Sequence, residues 1–303
     1  MSTSKLTTTT QDFTPIIAMA IAGMTPHSER AYRKAMTEFM SWYAASGKAQ
    51  LDKATVNEYK TVLSDRGLSA ATVNVSLSAI RKLVLEAADN GLIDQVLANG
   101  INKVKGVKAQ GVRAGNWLTL DQAQALLNAP DITTIKGLRD RAILAVMLGC
   151  GLRRAELAAL TFDHIQQRDG RWVIKDIIGK GNRVRTVPMP SWAKAAVDDW
   201  AERLVWTSGP VFYSFRRGDN IDGAGMTAQS IRDVVVLYAQ ALGLNIAAHD
   251  LRRTMAKLAH RGGAGIDQIQ LSLGHASIQT TERYLGVTQD LTDAPCDRLG
   301  LSL

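Results

Sequence analysis

Residues 102–116, NKVKGVKAQGVRAGN, separate two regions in which apolar residues recur at helical spacing. The stretch contains four basic side chains, no acidic side chain and three glycines. Glycine makes a chain flexible and like charges repel one another, so this composition predicts an extended interdomain linker. The predicted organisation is therefore an N-terminal domain at residues 13–101, a linker at 102–116 and a C-terminal domain at 117–303.

Both domains are predicted to be mainly α-helical. In SERAYRKAMTEFMSWYAASG, residues 28–47, apolar side chains follow helical spacing until a glycine ends the pattern. The period changes in residues 162–189, where β-branched residues and the turn signals Asp-Gly and Gly-Lys-Gly-Asn predict a small antiparallel β-sheet. Helical patterns resume after residue 190. The expected fold is an N-terminal helical bundle followed by a mostly helical domain that carries one small sheet.

Charge, cysteine content and hydropathy indicate the class of partner and the cellular compartment. The formal net charge of +8 and the pI near 9.6 favour a polyanionic partner such as nucleic acid without proving one. Cys150 and Cys296 lie far apart, which fits a reducing compartment and argues against a zinc site. No segment approaches the roughly 18 apolar residues of a membrane span, and the polar N-terminus lacks a signal-peptide core. A cytoplasmic protein without a membrane partner is predicted.

Several short segments place cationic or proton-carrying groups together. Arg153 follows a glycine break in GLRRAEL, and Glu156 lies three residues later on the same helix face. His249 and Arg252 in HDLRRT share a helix face for the same reason, and Lys180 lies at the tip of the predicted hairpin. Each pattern is common by chance, since such arginines usually form surface ion pairs and such a lysine usually marks a turn. None of them indicates a function alone.

The order of these segments resembles the tyrosine recombinase (phage integrase) family, in its simple two-domain Xer-like or mobile-element type, over nearly the whole chain. The boxes of that family appear here as GLRRAEL, GKGNRVRTVP, HDLRRT and LGHASIQTTERY, the last with a tyrosine nine residues after its histidine. The resemblance implies that residues 13–101 are a helical core-binding (SAM-like) DNA-binding domain and that residues 117–303 are catalytic. It implies catalytic roles for Arg153, Lys180, His249, Arg252, His275 and the nucleophile Tyr284, with Glu156 in support.

The implied activity is site-specific recombination, in which DNA is cleaved and rejoined through a 3′-phosphotyrosyl intermediate. The outcome would be integration, excision or resolution of a mobile element or replicon. The implied partners are double-stranded DNA with a specific recombination site and three further copies of the chain in a tetramer. No cofactor or metal is expected, because guanidinium groups would take the place of metal ions and one phosphodiester is exchanged for another.

Candidate DNA contacts come from the linker and from one helical segment. Basic side chains of the linker could follow a phosphate backbone, although a plain solvated linker fits the composition equally well. A second set lies in residues 70–85, a region where base contacts are expected. The DNA-binding candidates are Lys103, Lys105, Lys108, Arg113, Arg81 and Lys82.

Two other functions remain open at this point. One is a catalytically silent DNA-binding regulator on the same fold, and the other is a type IB topoisomerase, which relaxes supercoils without exchanging strands. The chain departs from the usual family pattern at Cys150, Arg154 and Ala155, and Arg253 replaces a frequent second histidine. The partly apolar tail after residue 287 could dock on a neighbouring subunit or cover its own core.

Overall fold

A computed structural model describes residues 13–48, 50–108, 116–179, 183–204, 208–216 and 221–286. Within it the chain forms two compact units, Met1–Val112 and Arg113–Leu303. The division falls inside the stretch that was predicted to be a linker. None of the helices in the described ranges has the length and hydropathy needed to cross a bilayer.

The N-terminal unit is a bundle of helices built around one central helix. Its described helices are α1 (Thr14–Ile21), α2 (Pro26–Ala45), α3 (Lys53–Asp65), α4 (Ala70–Asp89) and α5 (Gln95–Asn102). Side-chain oxygens of Asp52 and Ser69 accept hydrogen bonds from the backbone N–H groups of the first turns of α3 and α4. Helix α4 contacts all four others, and its inward residues Leu77, Ile80 and Val84 are almost fully buried. The predicted helical bundle is confirmed.

The first part of the predicted linker packs on the N-terminal unit. Val104 is buried, and the side-chain amide of Asn74 both donates to the carbonyl oxygen of Val107 and accepts from its N–H, at 2.9 and 2.8 Å. Arg81 donates a hydrogen bond to the carbonyl oxygen of Val104. Two valines in an otherwise basic stretch give it an apolar side, and burial of that side fixes the segment.

In its described residues the C-terminal unit is mostly helical and carries two small antiparallel sheets. Its helices are α6 (Leu120–Asn128), α7 (Ile135–Cys150), α8 (Arg154–Ala158), α9 (Ser191–Ala201), α10 (Ala228–Ala241), α11 (Ala248–Arg261), α12 (Ile266–Leu273) and α13 (Ile278–Leu285). Its strands are β1 (Ile165–Arg168), β2 (Arg171–Ile178), β3 (Val184–Pro188), β4 (Tyr213–Phe215) and β5 (Ile221–Gly225). Helix α7 is buried along most of its length and packs against α6, α9 and α11, so its C-terminal end is held firmly.

The larger sheet confirms the predicted change of period. Strands β1, β2 and β3 form an antiparallel meander, and β1 pairs with β2 from Ile165↔Ile174 to Arg168↔Arg171. Asp169 and Gly170 both have positive φ, at 51° and 72°, which is the tight turn that an Asp-Gly pair predicts. The β4–β5 hairpin was not predicted, because strands of three and five residues are too short to show an alternating pattern.

Candidate active site

Arg153 is positioned by the end of one helix and the beginning of the next. Helix α7 ends at Gly151, whose φ of 59° is left-handed and whose Cβ, if present, would lie 2.5 Å from Cε of Met255. Arg153 is the N-cap residue of α8, and its backbone N–H donates to Oε2 of Glu156 at 2.7 Å. Its Nη1 donates to Oε1 of the same carboxylate, also at 2.7 Å. The predicted pairing of Arg153 with Glu156 is present in the structure, and the guanidinium is only partly buried.

Glu156 is also held by an arginine that sequence reasoning missed. Arg185 on β3 donates from Nη1 and Nη2 to the two carboxylate oxygens of Glu156, at 3.0 and 2.8 Å, and from Nε to the carbonyl oxygen of Ser272. The Glu156 side chain is buried, and that of Arg185 is mostly buried. The available signal was strand alternation, because Arg185 shares a face with the buried Val187, and an arginine on a buried face needs a partner.

The Glu156 carboxylate is therefore expected to make stability depend on acid pH. Burial would raise its pKa, but hydrogen bonds from Arg185 and Arg153 outweigh burial and hold the pKa at about 2, compared with 4.5 in an unfolded chain. A depressed pKa stabilises the fold fully above about pH 4.5, and the stabilisation is lost as the pH falls towards 2. The depression corresponds to roughly 3 kcal/mol.

Urea unfolding of wild type and Glu156→Gln at several pH values tests this expectation. The variant should be the less stable protein at pH 7, because Arg185 would lose its carboxylate partner. Since glutamine does not titrate, the difference between the two proteins should shrink between pH 5 and pH 3. A difference that stays constant over this range would show that Glu156 does not have the depressed pKa.

Arg252 is a fully buried cation without a carboxylate partner among the described residues. Its Nη1 donates to the carbonyl oxygen of Gly151 at 2.5 Å and its Nη2 to that of Leu273, while its Nε has no hydrogen-bond partner. Burial lowers the pKa of Arg252 to about 10, and the nearby Arg153 guanidinium contributes to the decrease. The group is still charged at neutral pH. A buried charge held only by carbonyl groups is suited to receive an anion.

Tyr284 lies beside His249. Its hydroxyl is 3.4 Å from Nε2 of His249, and the two ring centroids are 5.8 Å apart in an edge-to-face arrangement. Burial raises the pKa of Tyr284, and the guanidiniums of Arg252 and Arg253 oppose the rise. Partial desolvation lowers the pKa of His249, and the same two guanidiniums lower it further. A protonated phenol therefore faces a neutral imidazole, the pairing needed for proton transfer.

The ring of His275 also contacts that of Tyr284. Gly274 ends α12 with a φ of 63°, and the ring of His275 then lies 5.3 Å from that of Tyr284. Nδ1 of His275 is 2.9 Å from the hydroxyl of the buried Thr281. Burial lowers the pKa of His275 to about 4, so the ring is neutral at pH 7. When Thr281 donates to Nδ1, the ring proton is on Nε2, which is then a hydrogen-bond donor.

Three of these groups line one cavity of about 440 Å³. Its lining includes the side chains of Arg153, His249 and Arg252. Two exposed arginines outside the predicted set, Arg154 and Arg232, line it as well. No aspartate or glutamate is among its lining residues, so within the described chain this cavity is strongly cationic. Its chemistry fits the phosphates of a nucleic acid backbone.

The structure describes only some of the remaining predicted site residues. Lys180 lies outside the described residues. Its predecessor Gly179 lies beside the site, since a Cβ there would be 3.5 Å from Nη1 of Arg153. Among the DNA-binding candidates, Lys103, Lys105 and Lys108 are exposed, Lys82 is half-buried, Arg81 bonds to backbone as described above, and Arg113 lies outside the described residues. Among the residues described, no group of three or more metal-ligating side chains was found.

Comparisons with known proteins agree over both units. Residues 116–290 match the phage integrase family, and residues 20–91 match the phage integrase N-terminal SAM-like domain. The tyrosine recombinase XerD of Ralstonia nicotianae is 29% identical over 276 residues, which cover 88% of this chain and 86% of that protein. The tyrosine recombinase XerC of Myxococcus xanthus is 31% identical over 279 residues, covering 88% and 89%.

Solved structures show the same fold. The XerH site-specific recombinase bound to palindromic difH substrate, in its post-cleavage complex, has a TM-score of 0.67 at 20% identity, covering 87% of this chain and 77% of that one. A lambda integrase dimer bound to a COC′ core site has a TM-score of 0.68 at 18% identity, covering 91% and 77%. The fold and these relatives define a tyrosine recombinase, the class of enzyme that cleaves and rejoins DNA. The chain belongs to the phage integrase family.

Proposed function

We propose that this recombinase cleaves one strand of a specific duplex site by attack of the Tyr284 hydroxyl on a backbone phosphorus. The bond from the tyrosine oxygen to phosphorus forms as the bond from phosphorus to the 5′-oxygen breaks. The products are a 3′-phosphotyrosyl linkage and a free 5′-hydroxyl. Attack by the 5′-hydroxyl of a partner strand reverses the step and joins the exchanged strands. The observation that carries the proposal is the Tyr284 hydroxyl beside His249, which lines the same cavity as two arginines.

The two arginines would bind the non-bridging oxygens of the scissile phosphate. Charge builds up on these oxygens in the transition state, and donors already in place stabilise it without reorganisation. Arg252 is suited to this role because it is buried and unpaired with any described carboxylate, so an incoming phosphate would be its anion. Arg153 is suited because Glu156, itself held by Arg185, fixes the direction of its guanidinium.

Proton transfers accompany both bond changes. Neutral His249 is placed to accept the proton of the Tyr284 hydroxyl as the oxygen attacks. Lys180 is proposed to protonate the leaving 5′-oxygen, and the position of Gly179 beside Arg153 supports that role. His275 is proposed to donate a hydrogen bond to the phosphate from Nε2.

The DNA partner and the assembly complete the proposal. Exchange between two duplex sites needs four strand cleavages, so we propose a homotetramer on two synapsed sites. Phosphate contacts are proposed for the candidates of the N-terminal unit and linker, including Lys103, Lys105 and Lys108, whose exposure supports that role. We also propose that the protein acts in the cytoplasm. The named relatives, such as XerD, are consistent with a simple two-domain recombinase.

Covalent capture of DNA tests this function. The full-length protein is first used to select a bound site from a random duplex pool, and a nick is then placed near the cleavage point so that cleavage cannot reverse. The expected product is a denaturant-resistant adduct that joins Tyr284 to a DNA 3′-end, together with strand exchange between two sites. Specific binding without any adduct would indicate a silent regulator. Relaxation of supercoiled DNA without exchange would indicate a topoisomerase.

A further inference from the structure

Arg253 contacts the ring of the proposed nucleophile although it belongs to none of the predicted catalytic positions. Its Cζ lies 4.9 Å from the ring centroid of Tyr284, within the range of a cation–π interaction. The side chain is mostly buried. Arg252, its neighbour in the sequence, turns instead to the carbonyl groups of Gly151 and Leu273. Of the two adjacent arginines, Arg252 therefore lines the cavity and Arg253 contacts the phenol ring of Tyr284.

The guanidinium of Arg253 is itself held in place. Its Nη1 donates to Oδ1 of Asp250 at 3.0 Å and lies 3.5 Å from the carbonyl oxygen of Asn116. The other oxygen of Asp250 accepts from the backbone N–H of Ala247 at 2.9 Å, at the beginning of α11. A series of fixed contacts thus runs from the start of α11 through a carboxylate and a guanidinium to the Tyr284 ring.

Helix α13 cannot fix the tyrosine ring alone. It has only eight residues and ends at Gly286, which has a φ of 63°. Its packing on α11 and α12 includes contacts of the Tyr284 ring with His249, His275 and Arg253. Of these three, Arg253 is the one whose own position is set by an ion pair.

We propose that Arg253 is a positioning residue that holds the Tyr284 ring against α11, so that the hydroxyl stays beside His249. The guanidinium also favours the phenolate that develops during attack, because a cation over the ring attracts the added negative charge. This inference rests on the proposed nucleophilic role of Tyr284 and deepens it. The charged and titratable groups that act on the phenol are Arg153, His249, Asp250, Arg252, Arg253 and His275.

Single-turnover cleavage at saturating enzyme tests the inference with four proteins. Arg253→Met removes the cation and keeps an unbranched stem, whereas Arg253→Lys keeps the charge but loses the planar fork. Arg261→Met is the matched control, because Arg261 lies on the same helix and its Cζ is 4.4 Å from the ring centroid of Trp117, not of Tyr284. We expect about a tenfold slower adduct formation in Arg253→Met, partial recovery in Arg253→Lys and no change in Arg261→Met.

The pH profile separates positioning from simple damage to the fold. Without the cation the phenol ionises less readily, so the rise of the cleavage rate with pH should move to higher pH in Arg253→Met alone. Equal rates and profiles in Arg253→Met and Arg261→Met would overturn the inference. A variant that cleaves normally once bound but binds DNA more weakly would also overturn it, since Arg253 would then be a phosphate contact.

A measurement without DNA keeps this test independent of the proposed reaction. The chain is labelled with 3-fluorotyrosine, and the fluorine signal of Tyr284 is identified by its loss in Tyr284→Phe. In the free protein, Arg253→Met should shift that signal and raise the pKa of the labelled phenol, whereas Arg261→Met should do neither. An unmoved signal in Arg253→Met would refute the contact even if wild type cleaves DNA. If Arg253→Met shifts the signal but wild type forms no adduct on DNA, the contact is supported and only the proposed function is refuted.

Discussion

Tyr284→Phe is expected to lower the rate of covalent adduct formation on nicked DNA by more than about a thousandfold, because it removes the only oxygen that could attack in the proposed reaction. The fold of the Tyr284→Phe variant should stay intact. The ring packs against a buried apolar cluster that contains Leu273 and Leu285, and phenylalanine keeps that packing. The hydroxyl has only the long 3.4 Å contact to His249, so its loss costs little stability. Gel analysis under denaturing conditions measures the adduct, and a native gel should show unchanged binding of the selected site.

A second tyrosine provides the control. Tyr238 on α10 donates its hydroxyl to Oδ2 of Asp140 at 3.0 Å, and that carboxylate is buried with Arg139. Tyr238→Phe should therefore lower the stability of the fold by about 1 kcal/mol and leave adduct formation unchanged. The two substitutions together separate chemistry from folding. If Tyr284→Phe still formed an adduct, the nucleophile would have to be another residue.

The sequence indicates candidate residues for the site, but it does not indicate which distant residues hold them in place. Gly151 and Gly274 end helices in the left-handed conformation, and each is followed within two residues by a site residue, Arg153 or His275. Such local signals survive folding because they depend on backbone conformation. The partners of these residues come from distant elements, such as Arg185 on β3 reaching Glu156. No pattern along the chain encodes a pairing across 29 residues.

The linker shows a similar limit. Its charge and glycine content predict a flexible linker, but the burial of Val104 depends on a surface supplied by α4 and by Asn74. A short apolar pair is too weak a periodic signal to outweigh a basic stretch. Arg253 illustrates the reverse case. Its departure from the usual family residue was visible in the sequence, whereas its contact with Tyr284 required the packing of α13 on α11.

Arg153→Ala is expected to slow adduct formation by about a hundredfold to a thousandfold with little change in unfolding temperature. The guanidinium is partly open to the cavity, and its removal leaves Glu156 still paired with Arg185. The variant therefore loses a donor to the phosphate without leaving a buried charge unpaired. Arg153→Lys should recover part of the rate, since a lysine keeps the charge but not the planar fork that matches two oxygens. Arg203→Ala, at an exposed position after α9, is the control.

The corresponding change at Arg252 should behave differently, and the contrast tests the assigned geometry. Arg252→Ala removes the donor to the carbonyl oxygens of Gly151 and Leu273, which lie at the C-terminal ends of α7 and α12. We therefore expect a loss of rate at least as large as for Arg153→Ala together with a clear loss of stability, of about 1–3 kcal/mol for each buried group left unpaired. Thermal unfolding beside the single-turnover assay distinguishes the two arginines. Equal stability losses in both variants would mean that Arg252 does not bridge the two helix ends.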